Sequence, residues 1–151
     1  MHKILVAVAV VVLAAAAAAA SEKTDVMAPV NQFVDGFNKA DIASAVAACA
    51  DQTSIIDDFA PHQWQGAGAC AAWAKDFVAE AKKDAISNGV VTLGKPRHVD
   101  ITGDVAYVVV PASYTYKEHG KVMNEPSSTF TLVLRKGSAG WRITAWTWSK
   151  A

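Results

Sequence analysis

Two carboxylates stand side by side at the end of a β-branched run, Ile55-Ile56-Asp57-Asp58-Phe59. Alternate side chains of a strand share one face, so Asp57 goes with Ile55 and Phe59, and Asp58 points the other way. If the Ile55 face lines a pocket, burial raises the Asp57 pKa and makes it a usable general base. The plainer alternative is a strand-end aspartate bonded to the following loop. Asp58 reads as a solvated residue or a loop cap. His62 and Trp64 lie in that loop, where they could rim a pocket mouth.

The other reactive types offer less. His2, His62, His98 and His119 show no H-x-H or H-E-x-x-H spacing, so no metal is expected. No G-x-S-x-G motif marks a nucleophile. Gly66-Ala67-Gly68 is too short for a phosphate loop and follows a loop, not a strand, so no cofactor is expected either. Cys49 and Cys70 could form a disulfide in an oxidising compartment, closing a loop of about 20 residues at a gain of roughly 3 kcal/mol. The alternative is two small buried apolar side chains, Cys49 lying beside Val46 on a helix face. Fourteen Lys and Arg balance fourteen Asp and Glu without a basic stripe, which argues against nucleic acid.

The N-terminus sets the compartment. Met1-His2-Lys3 precedes an uncharged stretch, Ile4 to Ala20, that ends in Ala18-Ala19-Ala20 before Ser21. A basic start, an apolar stretch and a small-residue cleavage site describe a secretory signal peptide over residues 1–20. The alternative is a retained anchor, but 17 positions sit at the lower limit for a bilayer span, and alanine is weakly hydrophobic. Cleavage implies a periplasmic or secreted protein with no membrane contact afterwards. Residues 21–151 then form one domain, long enough to bury a core.

The elements follow from periodicity. Val26, Val30, Phe33, Val34 and Phe37 make one apolar face of a helix from about Asp25 to Lys39, with Pro29 near its first turn. Asp41 suits the N-cap of a second helix, Ile42 to Ala50. A strand is expected over Thr53–Phe59, a loop over Ala60–Gly66, and a third helix over Ala69–Ser87 stopped by Asn88-Gly89. Four strands follow: Val90–Ile101, kinked near Gly94 and Pro96, then Val105–Lys117, Val122–Arg135 and Trp141–Ser149. Strands this long must curve and be covered, so the expected fold is α+β, with three N-terminal helices on a strongly curved, mostly antiparallel sheet. Pockets form where such a sheet curls away from its helices.

Four segments in this order carry a resemblance: Phe37-Asn38-Lys39-Ala40-Asp41, Trp64-Gln65-Gly66, Val99 through Ala106 with its Thr102-Gly103-Asp104 turn, and Gly140-Trp141-Arg142-Ile143 followed by Trp146-Thr147-Trp148-Ser149. Together, over about residues 26–149, they resemble the nuclear transport factor 2-like, or SnoaL-like, superfamily of cone-shaped domains. That superfamily hosts several unrelated activities, so the resemblance implies a fold before a function. Its ketosteroid isomerase branch pairs an Asp base with a Tyr and a protonated Asp, a system used as a general illustration of pKa tuning. Ungapped comparison with that branch puts Asp57 at the base position, Phe33 where the branch has its Tyr, and Ser128 where it has its acid. The branch often has a large residue before the Gly equivalent to Gly66, which favours Trp64 as a hydrophobic plug.

Losing an oxyanion donor typically costs about 10²–10³ in rate, so the branch's steroid chemistry is not expected with Phe33 and Ser128 at those positions. The leading expectation is an exported domain that binds a small apolar molecule in a pocket of Phe33, Asp57, Trp64 and Ser128. One alternative is an isomerase or cyclase using Asp57 as general base. Another is a non-catalytic protein-interaction module docking through Trp146 and Trp148. The resemblance also implies a homodimer through the open sheet face.

Overall fold

A computed structural model describes the backbone of residues 3–151 and the side chains of residues 18–151. The expected signal segment, residues 1–20, lies for most of its length outside the described side chains. Among the described residues, no helix is long and apolar enough to cross a membrane.

Three helices cover one face of a seven-stranded sheet. The chain runs α1 (Lys3–Asn38), α2 (Ile42–Ala47), β1 (Cys49–Ile56), β2 (Gln63–Ala67), α3 (Ala69–Lys83), β3 (Ile86–Leu93), β4 (His98–Thr102), β5 (Val105–Glu118), β6 (Lys121–Gly137) and β7 (Gly140–Ser149). The strand order is β2-β1-β7-β6-β5-β3, with β4 also paired to β5. All pairings among the described strands are antiparallel except β1 with β7. This is the expected α+β architecture, a curled and mostly antiparallel sheet against three helices.

The core forms where the helix stripe meets the inner sheet face. Val26, Val30, Phe33 and Val34 of α1 are buried, as the 3.6-residue period requires. On the sheet, Ala106, Val108 and Val110 of β5 and Phe130, Leu132 and Leu134 of β6 are buried at alternate positions. Gly36 lets α1 approach α2: a Cβ there would lie 2.6 Å from the Ala45 backbone nitrogen. Asn38 ties the end of α1 to the sheet, its amide donating to Val91 O and accepting from Val91 N at 2.8 Å each.

Several boundaries differ from the sequence expectation, each for a physical reason. The helix containing Pro29 begins at Lys3, so Pro29 lies inside it; the alanine run, the best helix former, carries the helix backwards. Asp41 does cap α2, accepting from Ser44 N at 3.1 Å. That helix stops at Ala47, because Cys49 already pairs with Ile143. The expected loop over Ala60–Gly66 contains four of the five residues of β2, held by pairing with Gln52–Ile56. Helix α3 ends at Lys83, not Ser87, since Ala85 adopts φ 51°. Asn88-Gly89 instead lies where the β3–β5 register shifts, and Gly89 faces Tyr114, whose hydroxyl would be 2.5 Å from an added Cβ. The single strand expected over Val90–Ile101 is two, both on the same edge of β5. Gly94 and Pro96 separate them, since proline has no N–H for the ladder.

A disulfide joins Cys49 at the start of β1 to Cys70 at the start of α3, with Cα atoms 6.4 Å apart and 21 residues of separation. Cys49 is therefore on a strand, not on the helix face expected for it. A loop of this length should contribute roughly 3 kcal/mol through the unfolded chain. The Cys49→Ala/Cys70→Ala variant is thus expected to unfold at markedly lower urea. A midpoint equal to that of the parent protein would remove the bridge from the list of stabilising elements.

Candidate functional site

The sheet curls away from the helices at one end and leaves a cavity of about 250 Å³. Helix α1 contributes Phe33, Val34 and Phe37; α3 contributes Trp73 and Phe77; the strands contribute Tyr114, Tyr116, Phe130, Trp146 and Trp148. Most of the rings pack at tilted or edge-on angles, and Trp73–Phe77 and Tyr114–Tyr116 are stacked. Trp73 meets Trp146 at 88° with centroids 4.9 Å apart, and Phe33 lies 5.5–6.0 Å from Trp73, Phe130 and Trp146. These geometries suit aromatic quadrupoles.

Asp57 also lines the cavity, immediately after β1, and is 8% exposed. Its backbone N–H donates to His62 O at 3.1 Å, closing the hairpin turn between β1 and β2. One carboxyl oxygen accepts from Trp73 Nε1 and the other from Asp58 N, both at 2.8 Å. Burial raises its pKa from 3.8 to about 7. The two donors pull the value down, and the neighbouring Asp58 pushes it further up. Near neutral pH the carboxyl is thus poised between its protonated and ionised forms.

A polar rim surrounds the mouth. Lys150 Nζ bridges Asp58 and Glu125, at 2.9 Å from Glu125 Oε1. Burial depresses the Lys150 pKa, but the hydrogen bonds and charges of Asp58 and Glu125 outweigh it and hold the ammonium above the usual lysine range. Burial pushes the Tyr114 phenol up to about 12, helped by Tyr116 and Glu125, so it keeps its proton at any ordinary pH. Among the described residues, Trp146 Nε1 and Glu125 Oε2 of the lining side chains are buried without a hydrogen bond, as is Ser128 Oγ outside the lining.

Of the residues singled out in the sequence, Phe33 and Asp57 line the cavity and Trp64 and Ser128 do not. Trp64 packs on Phe59 with centroids 5.0 Å apart and gives its indole N–H to Asp76 at 2.8 Å, which makes it a plug behind the wall. Ser128 faces inward but is short; the larger Phe130 and Trp148 form the wall on that part of the sheet. Asp58 is not simply solvated: the strand ends at Ile56, so alternation no longer governs it, and it reaches the mouth. Trp146 and Trp148 line the interior, Trp146 only 4% exposed, which fits packing and speaks against the alternative of a docking face.

The sequence reading missed Trp73 as the partner of Asp57, and it missed Tyr114, Glu125 and Lys150. Signals existed for each. A buried indole N–H needs an acceptor. Lys150 continues the two-residue period of Trp146 and Trp148. Counting back from the turn at His119-Gly120 sets Glu125 opposite Tyr114. Among the described residues, no group of His, Cys, Asp and Glu is arranged to hold a metal ion.

Residues 26–151 match the SnoaL-like domain family. No curated protein matches the chain in sequence. Several solved structures share the fold. A nuclear transport factor 2-like superfamily protein from Salmonella enterica is 18% identical with a TM-score of 0.73, covering 87% of this chain and 92% of its own. A ketosteroid isomerase-like protein from Erwinia carotovora is 20% identical with a TM-score of 0.67, covering 85% and 95%. An NTF2-like protein with a cystatin-like fold from Novosphingobium aromaticivorans is 17% identical with a TM-score of 0.71, covering 91% and 87%. At these identities the likeness is one of fold.

Proposed function

This chain belongs to the SnoaL-like domain family, and from that premise we propose that it binds one small, largely apolar molecule in its cavity, with Asp57 as a polar anchor. The observation that carries the reading is an aromatic-walled cavity with one buried carboxyl, that of Asp57, in its lining. A volume of about 250 Å³ lies below the usual range of roughly 300–1,000 Å³ for drug-sized ligands, which favours a one- or two-ring molecule. The reading includes export, supported by the uncharged stretch from Ile4 to Ala20 and the alanines before Ser21.

Native mass spectrometry of protein purified gently from the exported fraction tests it. The expected spectrum carries a small noncovalent adduct, and the cavity-filling Ala81→Phe variant, still folded, loses it. An adduct that survives in Ala81→Phe would place the ligand elsewhere and end the proposal.

A second reading is favoured by one observation, the Asp57 carboxyl raised to about 7 within that cavity. On this reading Asp57 is the general base of an isomerisation or cyclisation, and the Tyr114 O–H supplies a donor that Phe33 does not. Asp57→Asn should then abolish turnover of a substrate while leaving its affinity within a few fold. Undiminished turnover in that variant would rule the base out.

A further inference from the structure

The charged residues that line the cavity are mostly acidic. Asp58, Glu80, Asp84, Glu118 and Glu125 line it, and Lys150 is the single cation among the described lining residues. Lys150 uses Asp58 and one oxygen of Glu125. The other, Oε2, is buried with no partner in the fold, on a side chain that is 16% exposed. Two carboxylates shared by one ammonium leave a negative excess at the mouth of the site. Tyr114, directly opposite Glu125 in the β5–β6 ladder, stacks on Tyr116 with centroids 4.7 Å apart, and Trp148 stands two positions before Lys150. Carboxylates beside exposed ring faces, in a partly desolvated site, are the arrangement that attracts organic cations over neutral molecules.

Building on the small-molecule reading, we infer that the preferred ligands are small aromatic ammonium compounds, with the cationic head at the Asp58–Glu125 pair and the ring over Trp73 and Trp146. The Lys150 ammonium then acts as a resident competitor. It occupies in the empty site the position that a ligand's cationic head takes when bound.

Titration calorimetry with two isosteric phenols separates charge from shape. The probes are (4-hydroxyphenyl)trimethylammonium and 4-tert-butylphenol, which share a shape and differ in charge. The cation should bind about tenfold or more tightly than its neutral isostere, and added salt should narrow that gap. Glu125→Gln should reduce the preference about fivefold or more, and Lys150→Met, which keeps the stem and removes the charge, should raise affinity for the cation alone. Circular dichroism checks that both variants are folded. Equal binding of the two phenols would overturn the cation preference and leave the pocket reading standing. If neither binds up to about 1 mM, both proposals fall. Weaker cation binding in Lys150→Met would overturn the placement of the head at the carboxylate pair.

Discussion

Replacing Asp57 by asparagine is expected to make the protein less stable in mild acid and more stable above neutrality. The carboxyl titrates near 3.8 when unfolded and near 7 when folded. Below pH 3.8 it is protonated in both states, and its burial carries no ionisation penalty. Between the two values the unfolded chain releases its proton while the fold retains it, so stability falls as pH rises. Above pH 7 the full penalty applies, roughly 4 kcal/mol for a rise of this size. Asparagine does not titrate and escapes it. The amide has one oxygen for the two donors, Trp73 Nε1 and Asp58 N, so the variant forgoes about 1–2 kcal/mol at every pH. The two stability curves should therefore cross between about pH 4.5 and 5.3, with the variant ahead by about 2–3 kcal/mol at pH 8. Urea unfolding at half-unit steps from pH 4 to 8 measures both curves. Parallel curves would mean that Asp57 titrates like a solvated aspartate, and both proposed roles would lose their electrostatic basis.

Trp73→Ala is expected to cost about 3–5 kcal/mol, the upper range for truncating a buried aromatic side chain. The indole is 5% exposed and packs on Phe33, Phe37, Phe77 and Trp146 with centroids 4.9–6.3 Å away. Domains of this size are stable by about 5–15 kcal/mol, so the variant should be only marginally folded at 37 °C. Trp73→Phe separates packing from hydrogen bonding. It keeps most of the ring contact and removes the donor from Asp57, whose pKa should rise further because that bond favours the ionised form. Thermal unfolding checks the first effect, and the carboxyl carbon shift of Asp57 across a pH titration checks the second. A loss below about 1.5 kcal/mol in Trp73→Ala would show that the aromatic cluster repacks freely around the gap.

Much of the fold was legible because it rests on local patterns. The Val26–Phe37 stripe, the Asp41 cap and the alternation along β5 and β6 each need only a few neighbouring residues to be seen. What escaped was set at long range. Cys49 and Ala50 look helical in sequence and are strand because Ile143 waits for them across the sheet. Gln63-Trp64-Gln65 looks like loop and is strand because β1 lies beside it. The site divides in the same way. Asp57 and Phe33 were found on their own elements, whereas the Trp73 bond to Asp57 spans 16 residues and the Lys150 pairing joins three separate parts of the chain. Ser128 was placed by comparison alone. The comparison located its strand position and could not tell that larger rings would form the wall in its stead.

The parallel contact between β1 and β7 has a consequence for the order of assembly. Ninety residues lie between Ile55 and its neighbour Trp146, and such distant pairings slow folding because chain entropy is lost before contacts compensate. On a ribosome, β1 and β2 emerge long before the strand that connects them to the rest of the sheet. The hairpin must therefore wait, with the Ile55 edge unpaired, and the cavity has no far wall until β7 docks. A chain built this way passes through synthesis without its binding site and gains it in one late, cooperative step.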